Sequence, residues 1–131
     1  MPAKLRVSEC LRQIREGVLR VIERFNPEAA SIEGSFFFKN VKTAMILGQA
    51  RGVVIEVCAA KGIPVFEYAP RRVKQAVTGY GAADKQQVAK MVCSMLGFEE
   101  DLSDDETDAL ALAICHFHSR TGYAELANKE I

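Results

Sequence analysis

An acidic segment that leads into an apolar one places the strongest constraint on this chain. Residues 103–108 read SDDETD, and residues 109–115 read ALALAIC. Ser103 followed three residues later by Glu106 forms a capping box, in which each side chain binds a backbone N–H that the first helical turn leaves unpaired. The sequence therefore predicts a helix that begins at Ser103.

Two acids of this predicted helix share a face. Asp105 and Asp108 are three residues apart, and Leu112 and Cys115 continue the same face in apolar form. Two like charges about 5–6 Å apart above an apolar stripe repel each other unless a cation lies between them. Acids near a helix N-terminus also offset the helix dipole, worth about 0.3–1 kcal/mol each at the surface. The spacing leaves metal binding and dipole compensation both open.

The charges of the chain are unevenly distributed along it, although the net charge is zero. Residues 33–95 have nine Lys or Arg against four acids, a net charge of +5, whereas residues 96–131 have two against nine, a net charge of −7. This pattern is typical of a protein that binds a polyanion through one surface and acts on it with metal-neutralised carboxylates. Ordinary protein contacts show the same segregation.

Length and cysteine usage indicate the broad class of the protein. A chain of 131 residues with ordinary composition predicts one domain, residues 1–131. The four cysteines form no Cys-x-x-Cys pair and are interpreted as reduced core residues. No apolar run approaches the length of about 18 residues that a membrane span needs, and no signal peptide opens the chain. We therefore expect a soluble, cytoplasmic protein without a membrane partner.

Hydrophobic periodicity predicts alternating helices and strands and hence an α/β fold with parallel βαβ connections. The predicted helices cover residues 4–25, 41–60, a short segment from Pro70, 84–96 and a segment from Ser103, and the predicted strands cover residues 29–33 and 63–68. Ligands of open α/β sheets gather beyond the carboxyl ends of strands. Glu33, the last residue of the first predicted strand, is therefore a candidate functional acid.

The segment 35–40, SFFFKN, favours contact with nucleic acid. Three consecutive phenylalanines beside Lys39 and Lys42 resemble the aromatic platforms that stack unpaired bases while cations bind phosphate. The alternative is that one or two of the three rings belong to the core. The following helix has a ridge of Ala44, Gly48 and Gly52, which permits close packing within the domain or across a dimer.

Several motifs, taken in order, resemble the RuvC family of bacterial Holliday-junction resolvases over essentially the whole chain. They are Ile32-Glu33, Phe36-Phe37-Phe38-Lys39-Asn40, Leu47-Gly48-Gln49-Ala50-Arg51-Gly52, Tyr68-Ala69-Pro70, Val73-Lys74-Gln75 and Asp105 through Ala113. The resemblance implies a ribonuclease H-like fold, a mixed sheet flanked by helices. It also implies a homodimer that nicks four-way DNA junctions in recombination and repair, with the helix 41–60 at the dimer interface and RuvA and RuvB as partners.

The resemblance assigns Glu33, Asp105 and Asp108 to three of the four metal-binding acids of the family. Those acids hold two Mg²⁺ ions, for which Mn²⁺ is a possible substitute; one ion activates water and the other stabilises the leaving oxygen. The resemblance also matches Phe36 to an aromatic residue that opens bases at the junction. Together with the residue patterns, it makes the DNA-binding candidates Phe36, Phe37, Lys39, Lys42, Arg71, Lys74 and Lys85.

The chain departs from the family pattern at its start. Family members begin with a strand that carries an Asp-Pro-Gly-type motif and with two further strands, whereas no Asp precedes Asp84 here. We therefore expect an N-terminally truncated fold and impaired cleavage. The chain is either a fragment or mis-started reading of a longer resolvase, or a degenerate descendant of one. The rival functions are a catalytically inactive junction-binding or dimerisation module and an unrelated α/β domain that binds a phosphorylated metabolite.

Overall fold

The structure is a computed structural model, and it describes residues 4–34, 40–99, 102–119 and 130–131. The described residues form five helices and two strands: α1 (Val7–Phe25), β1 (Ala30–Glu33), α2 (Val41–Ala60), β2 (Val65–Tyr68), α3 (Pro70–Thr78), α4 (Lys85–Leu96) and α5 (Asp104–Ser119). The predicted elements are all present in the predicted order, and their ends differ by only a few residues. The α/β class is confirmed.

Side-chain caps explain where the last two helices begin. In α4 the carboxylate of Asp84 accepts from the Gln87 N–H at 2.8 Å, and the Gln87 side chain accepts from the Asp84 N–H at 2.9 Å. In α5 Ser103 and Glu106 exchange the corresponding bonds at 3.2 Å each. The hydrogen bond from Ser103 lowers the pKa of the Glu106 carboxyl. The predicted capping box is therefore present, and α5 begins where its sequence indicates.

The two strands pair in parallel. The N–H of Ala30 donates to the carbonyl of Pro64 at 2.9 Å, and the N–H of Gly34 donates to the carbonyl of Tyr68 at 2.8 Å. The helix α2 is the connection between them, as the βαβ interpretation predicted. A Cβ at Gly34 would lie 2.8 Å from Oε1 and 2.9 Å from Cγ of Glu67, so a larger residue there would displace the Glu67 side chain.

The chain divides into two compact units. The N-terminal unit comprises the described residues of Met1–Ala30 and Phe36–Val65, in which α1 packs against α2. The C-terminal unit comprises those of Ser31–Ser35 and Phe66–Ile131, in which α3, α4 and α5 pack against one another. The prediction of a single domain over residues 1–131 stays a prediction.

The core of the C-terminal unit surrounds β2 and α5. Tyr68, Val92 and Cys115 are fully buried. The hydroxyl of Tyr68 shares a hydrogen bond of 2.6 Å with Nδ1 of His116, and the ring of Phe66 lies 4.7 Å from that imidazole, measured between centroids. Burial raises the pKa of the Tyr68 phenol above its ordinary value. The core therefore joins the strand to the end of α5 through both packing and a polar contact.

The helix α2 corrects one expectation from the sequence. It is long and apolar enough to cross a membrane by length and composition, with a mean hydropathy of 1.3, and 11% of the qualifying window is buried. The sequence-based expectation that no such segment exists was based on the length of apolar runs. A window average, by contrast, tolerates scattered polar residues such as Gln49 and Arg51. Length and composition do not distinguish a membrane span from a helix that packs against another protein surface.

Candidate functional site

One cavity of the C-terminal unit brings together four of the residues predicted to be functional. It has a volume of about 270 Å³ and is lined by Glu33, Lys74, Lys85 and Asp108, which we call the acid–lysine cavity. Its apolar wall consists of Pro70, Val73, Val88, Ala111 and Leu112. Two carboxylates and two ammonium groups thus share one concave surface, although they are up to 75 residues apart in sequence.

A hydrogen bond between β1 and α5 places Glu33 in this cavity. The hydroxyl of Ser31 donates to the carbonyl of Leu112 at 2.9 Å. Side chains two residues apart in a strand lie on the same face, so Glu33 projects toward α5 as Ser31 does. Asp108 lies one turn before Leu112 on that helix, and this brings the two acids to the same surface.

The two lysines come from neighbouring helices, Lys74 from the middle of α3 and Lys85 from the start of α4. Lys74 lies in α3 and is half-buried, whereas Lys85 is the first residue of α4. The ammonium of Lys85 lies 3.7 Å from Oδ2 of Asp108, with the two side chains 71% and 57% exposed. An ion pair at this exposure is worth about 0.2–1 kcal/mol, so it contributes little to stability and leaves both groups accessible.

The acids near the cavity have the ligand chemistry that a divalent metal prefers, but the described residues bring too few of them together to hold an ion. Carboxylate oxygens are the ligands that Mg²⁺ prefers. Glu33 and Asp108 share the cavity, but Asp105, exposed on the first turn of α5, is not among its lining residues. In the part of the chain that the structure describes, no three His, Cys, Asp or Glu side chains are close enough to hold one ion. The described residues therefore do not form a complete metal centre, and the predicted metal role of these three acids stays a prediction.

The remaining DNA-binding candidates fall elsewhere. Phe36, Phe37 and Lys39 lie outside the described residues. Lys42 is exposed in the first turn of α2, in the N-terminal unit. Arg71 is exposed on α3, and its side chain covers Gly81, where a Cβ would lie 2.9 Å from Cγ of Arg71.

A larger cavity of about 570 Å³ lies between the α3–α4 turn and α4. It is lined by Thr78, Tyr80, Ala83, Gln87, Lys90, Met91 and Ser94. Lys90 is its one charged lining residue, and none of its lining side chains is an acid. Its size exceeds that of the acid–lysine cavity, but its lining offers no pair of groups for acid–base or metal chemistry.

Sequence reasoning missed two contacts that shape the site region. The bond from Ser31 to Leu112 spans 81 residues, and the bond from Tyr68 to His116 spans 48. A serine two residues before Glu33 in a predicted strand was the one available signal for the first contact. No local pattern in the sequence links His116 to Tyr68.

Comparison with known proteins gives consistent results. The family model described as crossover junction endodeoxyribonuclease RuvC matches residues 2–116. The chain is 50% identical over 119 residues to the protein of that name from Chloroflexus aggregans, covering 90% of this chain and 73% of that relative. It is 47% identical over 119 residues to the one from Clostridioides difficile, covering 90% and 70%.

Solved structures agree with the sequence comparisons. The structure of Thermus thermophilus RuvC in complex with a Holliday junction substrate aligns with a TM-score of 0.85 and 34% identity, covering 100% of this chain and 79% of that one. Another Thermus thermophilus RuvC structure aligns with a TM-score of 0.84 and 35% identity, covering 100% and 78%. The expected ribonuclease H-like fold is thereby confirmed. This chain belongs to the RuvC family of crossover junction endodeoxyribonucleases, which are metal-dependent nucleases.

Proposed function

We propose that this chain is a Holliday-junction resolvase, an endonuclease that nicks four-way DNA junctions in recombination and repair. The observation that carries the proposal is the acid–lysine cavity, where Lys74 and Lys85 lie beside Glu33 and Asp108. The relative from Thermus thermophilus, which binds a Holliday junction in its solved structure, supports the choice of substrate.

The lysines and acids of the cavity have distinct roles in this proposal. Lys74 and Lys85 bind backbone phosphate, the interaction that dominates affinity for DNA and makes it sensitive to salt. Glu33 and Asp108 in the cavity, together with Asp105 outside it on α5, are proposed ligands of Mg²⁺, with Mn²⁺ as a possible substitute, because both the family and the carboxylate chemistry favour this metal. Since the described acids are too few for a complete centre, we assign no catalytic step to the ion.

The same shortage of acids supports a second candidate function. A chain that binds junctions through its lysines but holds no complete metal centre is a catalytically inactive junction-binding or dimerisation module. We propose that the chain binds junctions and cleaves them poorly, because an incomplete set of metal ligands weakens metal binding and the alignment of the attacking water.

We further propose that the protein is a homodimer whose interface includes α2. Val41, Met45 and Leu47 are exposed on this helix. A Cβ at Gly48 or Gly52 would meet no described atom within 4 Å, so the small-residue ridge is open to a close-packed partner. By family resemblance RuvA and RuvB are the proposed partners. A cytoplasmic location is proposed because all four cysteines are free thiols.

A gel-shift comparison tests junction binding. The chain should bind a synthetic four-way junction more tightly than a linear duplex of the same sequence, with an affinity that falls as salt rises. Lys74→Gln and Lys85→Gln should each reduce the slope of log binding constant against log salt concentration by about one, because each removes one phosphate contact. Lys90→Gln, an exposed change outside the acid–lysine cavity, is the matched control. Equal affinity for both DNAs would contradict the proposal.

Cleavage distinguishes the two candidate functions. A purified chain, free of host resolvase, is incubated with the labelled junction in Mg²⁺ beside a Glu33→Gln variant. Nicks that appear with the wild-type chain and disappear with Glu33→Gln identify a resolvase in which these acids suffice. If the chain binds the junction without nicking it, and nicking appears when an Asp-bearing first strand and two further strands are supplied, the chain as given is the inactive module.

A further inference from the structure

The larger cavity, between the α3–α4 turn and α4, lies apart from the acid–lysine cavity. We call it the Tyr80–Lys90 cavity, and its volume of about 570 Å³ falls within the range of roughly 300–1,000 Å³ that small-molecule sites occupy. Lys85 and Val88 of α4 line the acid–lysine cavity. A different face of α4, with i, i+3, i+4, i+7 spacing, lines the Tyr80–Lys90 cavity through Gln87, Lys90, Met91 and Ser94.

The α3–α4 turn presents an aromatic ring on a well-bonded backbone. The N–H of Tyr80 donates to the hydroxyl oxygen of Thr78 at 3.1 Å, and the carbonyl of Tyr80 accepts from the N–H of Ala83 at 3.1 Å. The Thr78 hydroxyl donates to the carbonyl of Lys74 at 2.8 Å, which ties the turn to α3. The side chain of Tyr80 is nevertheless 62% exposed. A flat ligand can therefore stack on this ring without first ordering the turn.

The polar groups that the cavity offers to a ligand are hydrogen-bond donors. The side-chain oxygen of Gln87 accepts from the Asp84 N–H at 2.9 Å, so its amide nitrogen is the group available to a ligand. Among the described residues, the ammonium of Lys90 has no ion-pair partner and the hydroxyl of Ser94 has no hydrogen-bond partner. None of the lining side chains is an acid. A ligand that uses these groups accepts hydrogen bonds and carries negative charge.

We propose that the Tyr80–Lys90 cavity binds a nucleoside monophosphate, a ligand that joins a flat ring with acceptor atoms to a phosphate. The ring stacks on Tyr80 beside the thioether of Met91, and the phosphate binds Lys90. The ligand is a free molecule and not a nucleotide of the junction, because DNA bound by Lys74 and Lys85 lies on a different face of α4. The inference goes beyond the proposed function, since it assigns a second ligand to a second surface.

The site is tested on the full chain without DNA, by titrating adenosine monophosphate in phosphate-free buffer and following backbone amide signals by NMR. The amides of Tyr80, Lys90 and Ser94 should shift with one dissociation constant, and the Lys85 amide should shift less. Ribose 5-phosphate, which lacks the ring, should bind at least about fivefold more weakly than adenosine monophosphate. Adenosine, which lacks the phosphate, should bind at least about twofold more weakly.

Two substitutions and two matched controls test the residues. Tyr80→Ala should weaken binding of adenosine monophosphate at least about fivefold, the loss of one stacking surface. Lys90→Gln should weaken it about two- to fivefold, the loss of one exposed ionic contact. Phe25→Ala, at an aromatic residue 66% exposed, and Lys61→Gln, at an exposed lysine after α2, should leave the affinity unchanged. Since all four side chains are exposed, far-UV circular dichroism should show the same helix content in every variant.

Unchanged affinity in Tyr80→Ala or Lys90→Gln, equal affinity for adenosine, or no shift at the Tyr80, Lys90 and Ser94 amides would each overturn the site. An oligonucleotide that shifts these amides at lower concentration than adenosine monophosphate would overturn the assignment to a free ligand.

A reciprocal pair of variants separates this site from junction binding. Lys85→Gln should weaken junction binding in the gel shift and keep the affinity for adenosine monophosphate, whereas Lys90→Gln should do the reverse. An equal loss of nucleotide affinity in both variants would show unspecific attraction to lysines and overturn the site. Failure to bind junctions refutes the proposed function, and the nucleotide titration still decides this inference.

Discussion

The helices α2 and α5 form an instructive contrast between apolar composition and burial. Val41–Ala60 has a mean hydropathy of 1.3 over its most apolar window, yet it buries only Val57 and Cys58 among its 20 residues. Asp104–Ser119 begins with three acids in its first turn, yet its described side chains are better covered. Its buried residues are Thr107, Ala111, Ile114, Cys115 and Ser119.

The difference shows that neighbours, and not hydropathy, decide whether a helix is covered. The helix α5 packs against α3 and α4 and bonds to β1 and β2, so one face is surrounded while its acidic start stays in water. The helix α2 packs against α1 and leaves large apolar side chains such as Met45 exposed. The described residues leave this apolar helix largely exposed, which is the observation behind the proposed dimer surface.

The largest expected effect is the loss of stability when a buried isoleucine of α5 is truncated to alanine. The same substitution at an exposed isoleucine of α2 is the comparison. Ile114→Ala should lower the free energy of unfolding by about 2–5 kcal/mol, because it leaves a cavity in a packed core. Ile46→Ala, at a position 38% exposed against 8% for Ile114, should cost less than about 1 kcal/mol. Urea unfolding of both variants measures the difference. Equal costs would show that α2 is as well packed as α5.

Charge placed on α2 tests its intermolecular role. Met45→Glu should raise the dimer dissociation constant at least about tenfold, equivalent to about 1.4 kcal/mol, because a buried carboxylate would face an apolar partner surface. Sedimentation velocity over a concentration series measures this change. Met91→Glu on α4 is the control, since that methionine is exposed outside the proposed interface. A dimer that survives Met45→Glu would place the interface elsewhere.

The hydrogen bond that anchors β1 to α5 gives a smaller effect. Ser31→Ala should lower the free energy of unfolding by about 1 kcal/mol, the net contribution of one hydrogen bond. Because this bond holds β1 beside α5, Ser31→Ala should also weaken the paramagnetic broadening that added Mn²⁺ causes in the NMR signal of the Glu33 amide. Thr78→Ala removes a bond to Lys74 four residues away within α3 and should leave that broadening unchanged. Identical broadening in both variants would show that the bond from Ser31 to Leu112 does not position Glu33 for metal binding.

The smallest effect concerns the pH dependence of the contact between β2 and α5. Burial raises the pKa of Tyr68 in the folded state, so its neutral phenol contributes stability that is fully present below the unfolded pKa of about 10. That contribution is lost as pH rises through the folded pKa. Above about pH 10 the wild-type chain should therefore lose stability more steeply than Tyr68→Phe. Parallel curves of unfolding free energy against pH would show that Tyr68 does not carry the effect.

The sequence predicted local structure correctly where the atoms that determine it belong to residues close together in the chain. The capping box of Ser103 and Glu106 starts α5 as predicted, because the bonds that form it span three residues. Helix α4 ends at Leu96 as predicted, and the left-handed Gly97 follows it, because glycine adopts that conformation without a steric penalty. The ordered motifs also indicated the family, since each is a short run of residues with its own spacing.

Only the tertiary structure decided which of these residues meet. The sequence alone indicated an α/β fold, a candidate acid at Glu33, an acid pair in α5 and a basic middle segment. It did not reveal that Lys85 pairs with Asp108, that Ser31 binds α5, or that the described residues leave α2 largely exposed. Such contacts join distant segments, and they depend on how packed elements present their faces to one another. Periodicity and capping describe each element only within its own turn or strand.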